Sequence, residues 1–339
     1  MTTDVASTVD VKQRVATVSM VKAINTALRD AMLADDRVVM FGEDVGRLGG
    51  VFRVTEGLSA RFGDERCFDT PIAEAGILGA AIGMAVYGAR PVVEMQFDAF
   101  AYPAFEQIIS HLAKMRNRTR GALSTPVVVR VPYGGGIGAV EHHSDSSEAY
   151  MTHTPGLHIV TPATVSDAYG LLRQAIRGAD PVLFFEPKRL YWDTEELALP
   201  VEVEPIGRAV VRRPGTDVTL ITYGPALPLA LAAADAAAEA GYDVAVVDLR
   251  SLVPFDEDTV CDAVTKTGRA VVVHEASGFG GFGAEVAARV TERCFNYLEA
   301  PVRRVTGLDV PYPPPQLERF YLPTVGRILD AIATTFGDS

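Results

Sequence analysis

The sequence predicts an α/β fold of two doubly wound domains built on mostly parallel sheets. Apolar runs of strand length alternate with stretches of helical period along the whole chain, the order that parallel α/β architecture imposes. The alternation breaks once, over residues 191–213, and then restarts. At 339 residues the chain is long for one core and fits two, at about 150 residues per domain. The division expected is a first domain over 1–190, a linker over 191–213 and a second domain over 214–339.

In the first half RVVMFGED, ARPVVEMQF, TPVVVRVP, LHIVTP and PVLFFEP read as buried strands. Helices are expected between them over 17–34, 73–88, 103–120 and 164–178. The segment that follows is rich in Glu and Pro and lacks a helical period, which makes it the linker. In the second half DVTLITYG, DVAVVDLR, RAVVVHE and APVRRVTG are strands, with helices over 225–240, 256–267, 281–298 and 323–336. Strands that end in polar residues place those residues at the carboxyl edge of the sheet, where open α/β folds bind ligands. The run PYPPP (311–315) reads as a surface loop.

Composition narrows the function. Apolar residues make up 48% and charged residues 22%, a globular balance. A net charge of -12 argues against sequence-independent binding to nucleic acid, which needs clustered cations to displace counterions. It suits a basic protein partner instead. Cys67, Cys261 and Cys294 lie far apart without metal-ligand spacing, so a reduced, cytoplasmic compartment is expected. The N-terminal stretch has early acids and no apolar core, unlike a signal peptide. The most apolar stretch, 76–89, is glycine-rich and shorter than the ~20 residues of a membrane span.

The most informative segment is 69–100. Pro71 is placed to open a helix, and Glu74 falls in its first turn among Ile72, Ala73, Ala75, Gly76 and Ile77. A carboxyl held in such an apolar site can share a proton near neutral pH. A lone glutamate there equally fits a helix-start carboxylate facing the macrodipole. Gly76, Gly79, Ala80 and Gly83 recur at i, i+3, i+4 and i+7 on the same helix. Glycines inside a helix cost roughly 0.5–1 kcal/mol each, so a stripe of them needs a packing reason, such as close approach of another subunit's helix.

Further along, the glycines of PYGGGIG precede His142 and His143 in EHHSD, as in a loop bending close to a ligand; an ordinary surface loop is the plain alternative. GFGGFG (278–283) matches the dinucleotide fingerprint G-x-G-x-x-G, whose glycines admit a pyrophosphate at a helix start. It follows the third strand of its half after four intervening residues, HEAS, whereas the fingerprint belongs to a first strand. An NAD-dependent dehydrogenase is thus a competing reading, and a non-catalytic scaffold subunit is another.

The run TPIAE-x-G-x-x-G-x-x-x-G followed by GARPVVEMQF resembles the beta subunit of thiamine-diphosphate-dependent 2-oxo acid dehydrogenases. FGEDV (41–45), GGVFRVTEGL (49–58), EHHSD (141–145), FFEPK (184–188), DLRSLVPFD (248–256) and YLPTVGRILDAI (321–332) fit that family in order, over nearly the whole chain. The resemblance implies a transketolase-like pyrimidine-binding domain followed by a transketolase-type C-terminal domain. It implies that Glu74 hydrogen-bonds N1′ of the cofactor's aminopyrimidine, with Ile72, Gln96 and Phe100 also at the cofactor. Phe100 stands where branched-chain relatives often carry tyrosine, which keeps the ring and loses a phenol hydrogen bond. His143 matches the family's active-site histidine, which stabilises the intermediate or promotes acyl transfer to a lipoyl arm.

The resemblance also implies a potassium ion in the loop AIRGADP, ligated by Ala175, Ile176, Gly178 and Asp180 with Val127 or Val128 nearby; an ordinary helix-to-strand turn explains the same residues. The family grips the diphosphate and Mg2+ through Gly-Asp-Gly, which this sequence lacks. That half of the site is therefore expected on an alpha subunit, in an alpha2beta2 heterotetramer that serves a lipoylated acyltransferase core. FFEPK resembles branched-chain enzymes more than pyruvate enzymes, so a branched-chain 2-oxo acid is the expected substrate, with pyruvate and, more distantly, acetoin as alternatives.

Overall fold

A computed structural model describes residues 15–337. Fourteen strands are found among them: β1 (Ala16–Ser19), β2 (Val38–Gly42), β3 (Cys67–Asp69), β4 (Arg90–Glu94), β5 (Val128–Tyr133), β6 (His158–Val160), β7 (Val182–Pro187), β8 (Thr194–Leu197), β9 (Val210–Arg213), β10 (Val218–Thr222), β11 (Val244–Asp248), β12 (Ser251–Val253), β13 (Ala270–Ser277) and β14 (Arg303–Gly307). They form a seven-stranded sheet in the order β12-β6-β7-β5-β4-β2-β3, a five-stranded sheet in the order β14-β13-β10-β11-β9, and a β1-β8 pair. In each large sheet every pairing is parallel except at one edge, where β12 and β9 run antiparallel to their neighbours.

Parallel strands need crossovers, and the crossover helices cover both faces of the sheet. The central strands are accordingly buried along their length; every residue of β5, β7, β10 and β11 is buried. Helix starts are fixed by side-chain caps: Ser19 accepts from the Lys22 amide, Thr164 from Asp167, Asp256 from Thr259 and Thr324 from Arg327. Arg130 lies wholly buried on β5 and survives there because Glu94 on β4 and Glu186 on β7 flank it at 2.5 and 2.7 Å. A buried guanidinium needs such flanking carboxylates to offset its desolvation.

The two halves are joined more closely than a linker implies. Residues 191–213 contain β8, which pairs with β1, and β9, which extends the second sheet beside β11. β12 leaves the second half to pair with β6 in the first sheet. Beside that crossing, Arg250 donates to Asp167 at 2.5 Å, and Arg212 bridges Asp167 and Asp248.

The helix expected over 103–120 is not continuous. A tight turn spans Asp98–Ala104 with Pro103 inside it, and a wide turn follows over Gln107–Leu112. Proline removes a donor from the first, and the Ala113 amide reaches back five residues to Ile108 to close the second.

Candidate active site

Five neighbouring parallel strands deliver side chains to one edge. β3 leads to Glu74, β2 ends just before Glu43 and Asp44, and β4 is followed by Gln96, Phe97, Asp98 and Phe100. β5 feeds the loop that carries His143, and β7 runs into Lys188. Because these strands point the same way in adjacent positions, all the groups collect at the carboxyl edge of the sheet.

Glu74 is the first residue of the Glu74–Val86 helix and is half-buried. Its neighbour Glu43 is buried, with Oε1 lacking a hydrogen-bond partner among the described residues. Burial, and then the nearby Glu74 and Asp44 charges, push the Glu43 carboxyl above its usual range. Behind Glu74 the helix exposes Gly76, Gly79, Ala80 and Gly83 along one face. Among the described residues, nothing beyond the helix's own backbone comes within 4 Å of a methyl group placed on Gly79 or Gly83. Ile72, 83% exposed, and Tyr87, 96% exposed, extend that uncovered face. The dry surroundings expected for Glu74 from its neighbours in sequence are therefore not supplied by this chain alone.

Gln96 donates to Asp44 at 2.9 Å, tying the β2 and β4 loops together. Phe100 is half-buried and meets Phe97 and His143 edge-on at 5.6 and 5.4 Å. The His143 imidazole is closest to Phe97, at 4.2 Å between centroids, and its Nδ1 has no partner among the described residues. Burial and the Lys188 charge lower its pKa. His142, by contrast, is exposed. The site residues read from the sequence thus fall into two linked groups, Glu74 with Gln96 through Glu43 and Asp44, and Phe100 with His143.

The second half positions the histidine loop. The Gly135 amide donates to Glu275 on β13, and the Gly136 amide donates to Glu318 at 2.9 Å and to the Tyr312 hydroxyl at 3.2 Å. A side chain on Gly135 would overlap the Tyr312 ring, coming within 2.6 Å of Cε2. The glycine run therefore serves close packing of one half on the other. Sequence reasoning passed over Glu43, Phe97, Asp98, Lys188 and Glu275. For Glu43, Lys188 and Glu275 the signal was a polar residue at or just after a strand end, in FGEDV, FFEPK and RAVVVHE; Phe97 and Asp98 carried no such mark.

Neither the expected potassium loop nor the competing dinucleotide reading gains support from the local geometry. The loop that was to hold potassium has its acceptors engaged. Arg90 donates through Nη1 to the carbonyls of Ile176 at 2.8 Å and Gly178 at 2.7 Å. The Ala175 carbonyl accepts from the Gly178 amide, and the Asp180 carboxylate pairs with Arg116. Guanidinium groups fill the place, so these residues do not fit a resident cation. Two of the three fingerprint glycines face side chains of the protein itself: a methyl group on Gly278 would come 2.9 Å from the Thr306 hydroxyl, and one on Gly283 would come 2.6 Å from Cδ2 of His274. Gly280 meets nothing within 4 Å among the described residues. Gly278 and Gly283 thus serve internal packing, where a nucleotide fingerprint would admit a pyrophosphate.

No helix among the described residues is long and apolar enough to cross a membrane. Comparison with known families matches residues 16–193 to the transketolase pyrimidine binding domain and 207–328 to the transketolase C-terminal domain. The 3-methyl-2-oxobutanoate dehydrogenase subunit beta of Mycobacterium tuberculosis is 55% identical, over 93% of this chain and 90% of that protein. The pyruvate dehydrogenase E1 component subunit beta of Leifsonia xyli is 53% identical, over 94% and 95%. The 2-oxoisovalerate dehydrogenase subunit beta of Bacillus subtilis is 47% identical, over 90% and 94%. A solved split-gene transketolase, described as an inactive beta4 tetramer, shares the fold with a TM-score of 0.78 at 24% identity, covering 95% of this chain and 99% of that one.

Proposed function

The chain belongs to the family of 2-oxo acid dehydrogenase beta subunits with transketolase-type domains, and we propose that it is the beta half of a heterotetrameric branched-chain 2-oxo acid dehydrogenase. Its reaction is the oxidative decarboxylation of a branched 2-oxo acid, with transfer of the acyl group to the lipoyl arm of an acyltransferase. The observation that carries this reading is the collection of Glu74, Gln96, Phe100 and His143 at one sheet edge, beside a helix face that the described residues leave uncovered.

The edge fits half of a thiamine diphosphate site. Glu43 Oε1 and His143 Nδ1 are buried without partners among the described residues, as polar groups awaiting a ligand would be. The cofactor, when bound, supplies the electron sink for loss of carbon dioxide. Glu74 would share a proton with N1′ of the aminopyrimidine, Phe100 would pack its ring on the pyrimidine, and the backbone at Ile72 would contact it. Gln96 would hold the neighbouring loop through Asp44. His143 would exchange a proton with the lipoyl sulfur released as the disulfide opens to take the acyl group. The partner helix that covers Gly79 and Gly83 would dry the surroundings of Glu74, which strengthens its hydrogen bond to the cofactor. An alpha subunit would bring the diphosphate and Mg2+ ligands, and the acidic surface would face a basic domain of the acyltransferase. We place the assembly in the cytoplasm, in keeping with three free, buried cysteines.

Pyruvate is the second reading, favoured by the name of the Leifsonia relative. Co-expression with candidate alpha chains and decarboxylation assays over a panel of 2-oxo acids separate the two. Highest kcat/KM on 3-methyl-2-oxobutanoate supports the proposal, and highest kcat/KM on pyruvate overturns its substrate.

A further inference from the structure

Lys188 follows β7 directly and is buried, and its Nζ has no hydrogen-bond partner among the described residues. An unpaired ammonium in such a place is costly to keep. Burial pulls its pKa down, while Asp98, Glu275 and Asp145 act in the opposite direction to retain the charge. The ammonium stands 5.7 Å over the centroid of the Phe97 ring, a cation–π distance. The same ring meets the His143 imidazole at 4.2 Å.

No hydrogen bond to Nδ1 fixes the charge of that imidazole, so the surrounding field and its burial must. The groups around it are Lys188 after β7, Asp98 and Tyr102 on the turn after β4, and Glu141, His142 and Asp145 on its own loop. Burial disfavours the imidazolium most, followed by Lys188 and then His142. Asp98 has a second task. Its buried carboxylate accepts from the Ser147 amide at 2.7 Å and from the Ser147 hydroxyl at 2.5 Å, pinning the far end of the loop on which His143 rides.

We propose that Lys188 is a positioning residue: seated on the Phe97 ring, its ammonium keeps the His143 imidazole in its neutral form, while Asp98 beside it balances that charge and anchors the histidine loop. A neutral imidazole is the state that can accept a proton. The inference rests on the role given to His143 above. It differs from a structural account because loss of the ammonium should move the titration of the imidazole, which a loss of packing alone would not.

The test is the titration of the His143 imidazole, followed by heteronuclear NMR in the full chain and assigned with His143→Ala. Lys188→Met is expected to move that titration to higher pH. Lys188→Arg is expected to hold it near the wild-type position. An unmoved His143 in Lys188→Met overturns the proposal. Should Lys188→Met not fold, an unmoved titration in Lys188→Gln overturns it equally. In the reconstituted enzyme the acid limb of the acylation pH profile is expected to follow the NMR shift. Normal acylation by His143→Ala sinks the proposed role of the histidine without altering its titration, so the two failures are distinct.

Discussion

Gly283 lies so close to the His274 imidazole that a methyl group on its Cα would come within 2.6 Å of Cδ2. The imidazole cannot retreat freely, because the Tyr223 ring stacks on it at 5.7 Å. Gly283→Ala is therefore expected to destabilise the chain by about 1–3 kcal/mol, as overpacking does. Urea unfolding reads the loss. An NAD(H) titration run alongside is expected to show no binding by the wild type; saturable binding would revive the dinucleotide reading.

His274 also sets a pH limit. It is wholly buried, and burial, aided by the Arg304 charge, lowers its pKa from 6.5 to about 4. The unfolded chain therefore binds a proton here at a pH where the folded chain does not. The stability due to the neutral ring is present in full above pH 6.5 and is lost as pH falls toward 4, a change on the order of 3 kcal/mol. His274→Phe is expected to flatten the unfolding free energy between those limits. An equally steep profile in that variant would place the acid sensitivity elsewhere.

Much of this was legible beforehand. Runs such as VVVRV, LITYG and VVVHE became β5, β10 and β13 because continuous apolar stretches can only be buried on both faces of a sheet. The edge strands β8, β9 and β12 were not, since their sequences are polar or short and their pairing comes from partners distant in sequence. The turn after β4 read as helix because its apolar spacing suits one, while Pro103 and the wide turn at Ala113 interrupt it. Glu74 was visible through its glycine stripe. Lys188 was hidden, because a cation at the end of FFEPK looks exposed until Asp98 and Phe97 close around it.

Arg90 replaces the cation once expected at residues 175–180. Arg90→Met leaves the Ile176 and Gly178 carbonyls without their donor and is expected to cost about 1–3 kcal/mol. The unfolding midpoint of the wild type should be the same in potassium and sodium chloride at equal ionic strength. A rise confined to potassium would return the ion to this loop.

His143→Ala removes the imidazole from between Phe97 and Phe100. Reductive acylation of lipoamide by the reconstituted enzyme is expected to fall by roughly 10²–10⁴-fold, the range of a positioned acid–base group. His142→Ala is the control, since that side chain is exposed and its loss should leave acylation near the wild-type rate. Equal losses in both would assign the effect to the loop as a whole.

Glu74→Gln separates proton sharing from hydrogen bonding at the site itself. The amide has the size of the carboxylate and can still bond a ring nitrogen, but it cannot take up and release a proton. The side chain is half-buried at the start of a helix, so folding should lose no more than about 0.3–1 kcal/mol from the macrodipole. Decarboxylation in the reconstituted heterotetramer is expected to fall by roughly 10²–10⁴-fold. Assembly with the alpha chain should persist, because the contact face proposed for that helix is the Gly76, Gly79, Ala80 and Gly83 stripe and does not include the carboxylate. Gly79→Leu and Gly83→Leu should do the reverse. Each fills space that the described residues leave open, so the beta chain alone should keep its unfolding midpoint while heterotetramer formation fails by size-exclusion chromatography. Full turnover by Glu74→Gln would remove the carboxylate from the chemistry, and a heterotetramer that forms despite Gly79→Leu would remove the stripe from the interface.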